Sequence, residues 1–108
     1  RLGMDRTRVR ELEATTRKLT LDVIRLSRSA GRDPSLWSVL TQLVRAAGSV
    51  SANHLAVSGA RSGREFFAKL CIVHEEAAET AHWLSILVEL DGCAPWAGTA
   101  ECLLEEAQ

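Results

Sequence analysis

Five arginines are the residues of this 108-residue sequence best suited to bind a ligand. Arg6, Arg8 and Arg10 occupy alternate positions, and Arg61 and Arg64 lie in or beside a stretch that contains two glycines. Guanidinium groups bind phosphate through their charge and through paired hydrogen bonds. We call these five residues the arginine end cluster, because the helices predicted below bring them to one end of the fold.

A metal site is the second kind of chemistry that the residue types suggest. Glu75, Glu79 and His82 are spaced i, i+4 and i+7, so they share one face of a helix. Glu-x-x-His is half of a di-iron motif in helical bundles, and such a centre needs a second copy on another helix. The sequence has no second copy, so a solvated or interface role is favoured, and we predict no metal and no other cofactor.

Nucleophilic catalysis has little support in the sequence. Neither a nucleophile elbow nor a catalytic cysteine signature occurs, and Cys71 falls beside an apolar stripe, where a small buried side chain is expected. The three cysteines, Cys71, Cys93 and Cys102, lack metal-ligand spacing and are expected to be reduced. With no membrane-spanning run and no secretory signal, we predict a non-enzymatic cytoplasmic protein.

Charge is unevenly distributed, although the net charge is only −1. Residues 1–32 carry nine Lys or Arg against four Asp or Glu, whereas residues 75–108 carry eight acidic side chains and no Lys or Arg. The opposite charges either pair with each other, within one bundle or between subunits, or leave a separate basic surface that meets phosphate.

Four helices must position these side chains. Apolar residues recur at steps of three and four along residues 9–30, 36–57 and 66–87, which is the period of an amphipathic helix. We predict a single all-α domain over residues 1–108, with helices at about 5–30, 34–58, 63–90 and 95–107. Short links favour an antiparallel up-down-up-down four-helix bundle, in which the arginine end cluster shares one end with acidic residues of the fourth helix.

Residues that begin or end helices mark the same boundaries. Gly31 follows the first stripe as a C′ residue, and Asp33 is an N-cap before Pro34. Ser62 and Glu65 predict a capping box at the start of the third helix.

The apolar faces are wider than one copy of such a bundle needs. Extra apolar residues flank all three stripes, among them Leu21, Trp37, Leu55 and Phe67. Two explanations remain open: self-association, or a deeper core that the short fourth helix fails to cover.

Small side chains fill residues 46–52 of the second helix. They predict a tight helix crossing around Gly48, because small residues let two backbones approach closely. Asn53 follows this run, and we expect its amide to fix the helix register rather than to do chemistry.

Three blocks of sequence resemble one known family. Residues 45–53, 62–70 and 76–84 resemble motifs of the four-helix-bundle family of 23S rRNA intervening-sequence proteins, which is related to accessory proteins of diversity-generating retroelements. The match covers about residues 36–90 without gaps. The sequence departs from the family pattern in two places. The family usually has a Glu soon after the Asn of the second helix, where this sequence has Leu55 and Ala56. The family also has an aromatic residue before the Trp, and in this sequence that residue is His82, before Trp83.

This resemblance implies a left-handed bundle that assembles into a homopentamer in the bacterial cytosol. Some family members are encoded within rRNA intervening sequences, and the related accessory proteins bind nucleic acid. No catalytic residues carry over from the family. Packing and assembly residues are expected along the second and third helices, and those that we single out are Ala47, Gly48, Asn53, Phe67 and Trp83.

Nucleic-acid binding through the arginine end cluster is therefore the leading functional hypothesis, with RNA or DNA as the partner. A protein–protein scaffold without nucleic acid is the alternative, and a metal-binding bundle ranks below both. No membrane partner is expected.

The wide apolar faces generate a prediction about assembly. Because one copy leaves these faces in water, light scattering of the purified protein is expected to give the mass of several protomers. A folded single protomer at high concentration, with helical circular dichroism intact, would contradict this expectation.

Overall fold

The structure, a computed structural model, describes residues 6–90, 94 and 96–107, with the backbone alone for Arg6. These residues form four α-helices: α1 (Arg6–Ala30), α2 (Trp37–Val57), α3 (Gly63–Leu90) and α4 (Ala97–Ala107). A 3₁₀ turn precedes α2, and this part of the chain contains no strand. The predicted all-α class and the four helices are confirmed.

The helix boundaries agree with the sequence pattern to within a few residues. The main difference is at the second helix, where Pro34–Leu36 form the 3₁₀ turn rather than the first turn of an α-helix. Pro95, predicted to begin the fourth helix, lies outside the described residues.

Helices that follow each other in sequence pack together, and α1 also packs against α4. The body that they form measures 48 × 22 × 19 Å along its principal axes. No helix in the described ranges combines the length and hydrophobicity needed to cross a bilayer.

The apolar stripe on α2 and the turn before it is buried along its whole length, as the period predicts. Its members are Leu36, Leu40, Leu43, Ala47, Val50, His54 and Val57. Burial of each large aliphatic side chain contributes roughly 1.5–3 kcal/mol. The helices α1 and α3 both pack on α2, which makes this stripe the part of the core that both share.

The main cluster of buried side chains lies where all four helices meet. It brings together Leu26 of α1, Leu40 of α2, Leu84 of α3 and Leu103 of α4. All four side chains are at most 4% exposed.

The first half of α3 is less buried than the stripe predicts. Its stripe residues Phe66, Leu70 and Val73 are half-buried, whereas Leu84 and Leu87 are fully buried. The reason is length: α4 has 11 residues and α3 has 28, so α4 covers only part of α3.

Two side chains on this half of α3 show the same effect. Phe67 is 68% exposed. Cys71, one turn later, is also exposed, so the prediction of a small buried side chain at Cys71 is wrong.

Side-chain caps set the start of two helical segments. Asp33 Oδ1 accepts hydrogen bonds from the hydroxyl and the backbone N–H of Ser35, at 2.7 and 3.0 Å, and both lower the pKa of the Asp33 carboxyl. Ser62 Oγ accepts from the N–H of Glu65 at 3.1 Å. The Glu65 carboxylate lies 3.5 Å from Arg61 Nε, so among the described residues only the Ser62 half of the capping box forms.

Gly31 follows the last residue of α1, as predicted. Glycine is required at this position because there is no room for a side chain. A Cβ at this position would lie 2.8 Å from the carbonyl oxygen of Ser27. Its φ lies outside the left-handed region, so backbone angle alone does not demand glycine.

The crossing of α1 and α2 is tight, although Gly48 is not its closest point. Thr20 Oγ1 donates to the carbonyl oxygen of Ala47 at 2.9 Å and lies 3.1 Å from Ser51 Oγ. Ala46 and Ala47 are fully buried. A Cβ at Gly48 would meet nothing within 4 Å, so Ala47 forms the close approach to α1 and Gly48 borders open space.

One substitution is expected to have opposite effects at these two glycines. Gly48→Ala is expected to stabilise the protein by about 1 kcal/mol, because alanine favours a helix interior and no neighbour obstructs its methyl group. Gly31→Ala is expected to destabilise it by more than about 1 kcal/mol, because the Ser27 carbonyl is too close. Urea denaturation measures both.

Ala52→Gly, at an exposed position of α2, is the control and is expected to lose about 1 kcal/mol. A loss of stability in Gly48→Ala would contradict the prediction and would reveal a surface that packs against Gly48.

Candidate nucleic-acid interface

The arginine end cluster is distributed over the beginnings of two helices. Arg8 and Arg10 are exposed in the first turns of α1, and Arg61 and Arg64 are exposed on either side of the first residue of α3. The side chain of Arg6 lies outside the described residues.

A groove joins the start of α1 to the end of α2. Arg10 of α1 and Leu55 of α2 both line this cavity, whose volume is about 460 Å³. The helix α2 ends at Val57, and five residues, 58–62, lead into α3. The starts of α1 and α3 therefore both adjoin the end of α2. That all five arginines form one continuous surface is still a prediction.

Two arginines of the cluster have no ion-pair partner among the described residues. These are Arg10 and Arg64, whereas Arg61 Nε lies 3.5 Å from the Glu65 carboxylate. Positive charge near a helix N-terminus opposes the helix dipole. Helix stability therefore does not explain why these arginines are here.

The acidic end of α4 does not reach the arginine end cluster. Glu106 Oε1 lies 4.0 Å from Lys18 Nζ, halfway along α1. Arg10 is eight residues from Lys18, about 12 Å along the helix axis. The alternative in which the glutamates of α4 neutralise the arginine end cluster is therefore disfavoured.

Lys18 also pairs within α1. Its Nζ donates to Asp22 Oδ2 at 2.7 Å, which raises the pKa of Lys18 and lowers the pKa of Asp22. Arg25 Nη1 donates to the other oxygen of Asp22 at 3.1 Å. The middle of α1 is thus occupied by charges that compensate each other.

Glu79, one of the two acidic residues that suggested a metal site, is engaged by an arginine of α2. Arg45 Nη1 donates to Glu76 Oε2 at 2.9 Å, and its Nη2 forms an ion pair with Glu79. Glu75 and His82 are exposed. Within the described ranges, no three His, Cys, Asp or Glu side chains are grouped closely enough to hold a metal ion.

The predicted packing residues of α2 lie mainly inside the protomer. Ala47 is buried and Gly48 is partly exposed. Asn53 Nδ2 donates to the backbone oxygen and hydroxyl of Ser49, at 2.9 and 3.1 Å. Because both bonds stay within α2, the polar contact that fixes α1 against α2 comes from Thr20 and not from Asn53.

On α3, the two predicted packing residues differ in burial. Phe67 is exposed, whereas Trp83 is half-buried against the core. The Trp83 indole meets His82 edge to face, with ring centroids 4.9 Å apart. Its Nε1 is buried and has no hydrogen-bond partner among the described residues.

A second basic site, absent from the sequence predictions, lies where α1 ends and α4 begins. Arg25, Arg28 and Arg32 line a cavity of about 730 Å³ together with Trp96 and Thr99. We call it the arginine groove. Arg25 and Arg28 share one face of α1 at a spacing of i and i+3, and Arg32 follows in the turn after the helix. This run of arginines was the local signal, because Trp96 lies far away in the sequence.

A family model matches most of the chain. It is the model of the 23S rRNA-intervening sequence protein, and it matches residues 11–98. No curated protein matches the chain.

A solved structure shares the fold. It is a protein of unknown function from the S23 ribosomal protein family of Bacteroides thetaiotaomicron, with a TM-score of 0.79 and 21% sequence identity. The similarity covers 89% of this chain and 87% of that chain. At this identity it supports the fold alone.

The contact of Arg45 with Glu76 is expected to couple α2 to α3. The two side chains are 47% and 19% exposed, so the ion pair is partly shielded from water. In a double-mutant cycle, Arg45→Ala and Glu76→Ala are expected to show a coupling of about 0.5–1 kcal/mol. Arg17→Ala, at an exposed position of α1, is the control and should change stability by less than about 0.5 kcal/mol. Strict additivity of the two changes would contradict the coupling.

Proposed function

The chain belongs to the family of 23S rRNA-intervening sequence proteins, and from this membership and its charge distribution we propose that it is a non-enzymatic nucleic-acid-binding protein. The arginine end cluster contacts the phosphates of RNA or DNA. The observation that carries the proposal is the pair of exposed guanidinium groups, Arg10 and Arg64, that have no acidic partner among the described residues.

The distribution of acidic residues supports the same reading. The glutamates of α3 that face α2 are engaged by Arg45, and Glu106 meets Lys18 at mid-height of α1. In the first two turns of α1, Arg6, Arg8 and Arg10 outnumber Glu11 and Glu13, so the net field there stays positive and attracts a polyanion.

The antiparallel up-down-up-down order of the bundle is part of this proposal. It is supported by the packing of consecutive helices, by the contact between α1 and α4, and by the short links at residues 31–36 and 58–62. The left-handed twist is taken from the family resemblance alone.

Assembly into a homo-oligomer, with a pentamer favoured by the family resemblance, is a second part. It is supported by apolar side chains that one protomer leaves in water: Leu55 is 63% exposed and Phe67 is 68% exposed. A ring of protomers repeats the arginine end cluster around one rim. Each bound strand then meets several copies of the same basic surface, in the cytoplasm of a bacterium.

Binding to nucleic acid is expected to weaken steeply with salt. The affinity for an RNA hairpin or a DNA duplex, measured by fluorescence anisotropy between about 50 and 200 mM salt, is expected to follow a log–log slope of about −0.9 per neutralised phosphate. Arg10→Gln combined with Arg64→Gln is expected to make this slope shallower by about 2 units.

Lys18→Gln is the matched control for this experiment. It removes one exposed positive charge at mid-height of α1, where Lys18 is already paired with Asp22, and it is expected to leave the slope unchanged. An affinity that ignores salt, or no binding at low salt, would overturn the proposal. Capture of a protein partner without nucleic acid would favour the scaffold function instead.

A further inference from the structure

The arginine groove is a half-open cleft that the proposed function does not use. It lies at the other end of α1 from the arginine end cluster, and its volume of about 730 Å³ is in the range of small-ligand sites. Its walls come from the last turns of α1, from the turn after α1, and from the start of α4.

The charge of the groove favours an anion. Three arginines line it against one acidic residue, Asp33, and Asp33 Oδ1 is already bonded to Ser35. Arg25 is paired with Asp22, whereas Arg28 and Arg32 have no ion-pair partner among the described residues. A favourable interaction with the C-terminal end of α1 accounts for Arg28, but it does not account for the cavity or for its tryptophan.

The turn that carries Arg32 is held in place on both sides. The N–H of Asp33 donates to the carbonyl oxygen of Ala30 at 3.3 Å. Trp37 Nε1 donates to the carbonyl oxygen of Gly31 at 2.7 Å. The arginine therefore projects from an ordered link, which lowers the entropy cost of binding.

Trp96 supplies an aromatic surface to the same cavity. It is half-buried and packs in part against the core. It also lines a second cavity of about 260 Å³, beside Leu36 and Leu90, so open space borders the indole in two places. Thr99, in the first turn of α4, lines the arginine groove as well.

We propose that the arginine groove binds a nucleotide, with its phosphate on Arg28 and Arg32 and its base against Trp96. Guanidinium groups bind phosphate oxygens in pairs, and indole rings stack on bases of any sequence. The nucleotide comes either from the free pool or from a single strand. The proposal shares no residue with the arginine end cluster, so each proposal can fail without the other.

Isothermal titration calorimetry of the full chain with AMP and with inorganic phosphate tests the proposal. AMP is expected to bind at least tenfold more tightly than phosphate, because only AMP offers a base to Trp96. Arg28→Gln combined with Arg32→Gln is expected to weaken both ligands at least tenfold, the change expected from losing one charge-assisted hydrogen bond. Trp96→Leu is expected to weaken AMP and to spare phosphate.

Thr99→Glu keeps the test decisive if Trp96→Leu does not fold. A glutamate in the first turn of α4 favours the helix, yet it places a negative charge in the groove, and AMP is expected to bind at least tenfold more weakly. Arg17→Gln is the control and is expected to bind AMP as the unchanged protein does.

A hexa-adenylate RNA separates the two sources of the nucleotide. Tenfold tighter binding than AMP, lost in Arg28→Gln with Arg32→Gln, identifies a single strand as the source, and binding equal to that of AMP identifies the free pool. The proposal is wrong if AMP binds no more tightly than phosphate, or if the double arginine variant binds AMP as the unchanged protein does.

Discussion

Burial of the apolar stripe of α2 is the interaction on which the rest of the structure depends. Both α1 and α3 pack on α2, and every member of its stripe is buried. The hydrogen bond from Thr20 to the carbonyl oxygen of Ala47 adds a polar contact at mid-height, and the ion pairs of Arg45 add one on the side of α3. Through α2, the starts of α1 and α3 both adjoin the end of the same helix.

The short α4 makes the two ends of the molecule different. Where α4 packs, all four helices enclose a core that includes Leu84 and Leu103, and the start of α4 forms a wall of the arginine groove. At the other end, α3 keeps half-buried and exposed apolar residues, with Phe67 the most exposed. One end thus has a cavity lined by arginines, and the other has an open surface with exposed apolar side chains.

Local signals in the sequence predicted most of the fold, and failures occurred where burial depends on a distant partner. The stripe of α2, the cap at Asp33 and the helix ends follow from spacing and capping chemistry, which neighbouring residues decide. The exposure of Cys71 depends on how far α4 extends along α3, and the open space beside Gly48 depends on how α1 crosses α2. The arginine groove needed Arg28 and Trp96, which lie far apart in the sequence, to line one cavity.

The chain has nearly equal numbers of acidic and basic side chains, yet they are placed so that α1 stays positive at both ends. At its middle, Lys18 meets Asp22 and Glu106. The first turn of α4 carries no acidic residue, and its glutamates follow in the later turns. The start of α4 therefore brings an indole and a hydroxyl to the arginines of α1. Had the glutamates stood one or two turns earlier, ion pairs would have closed the groove.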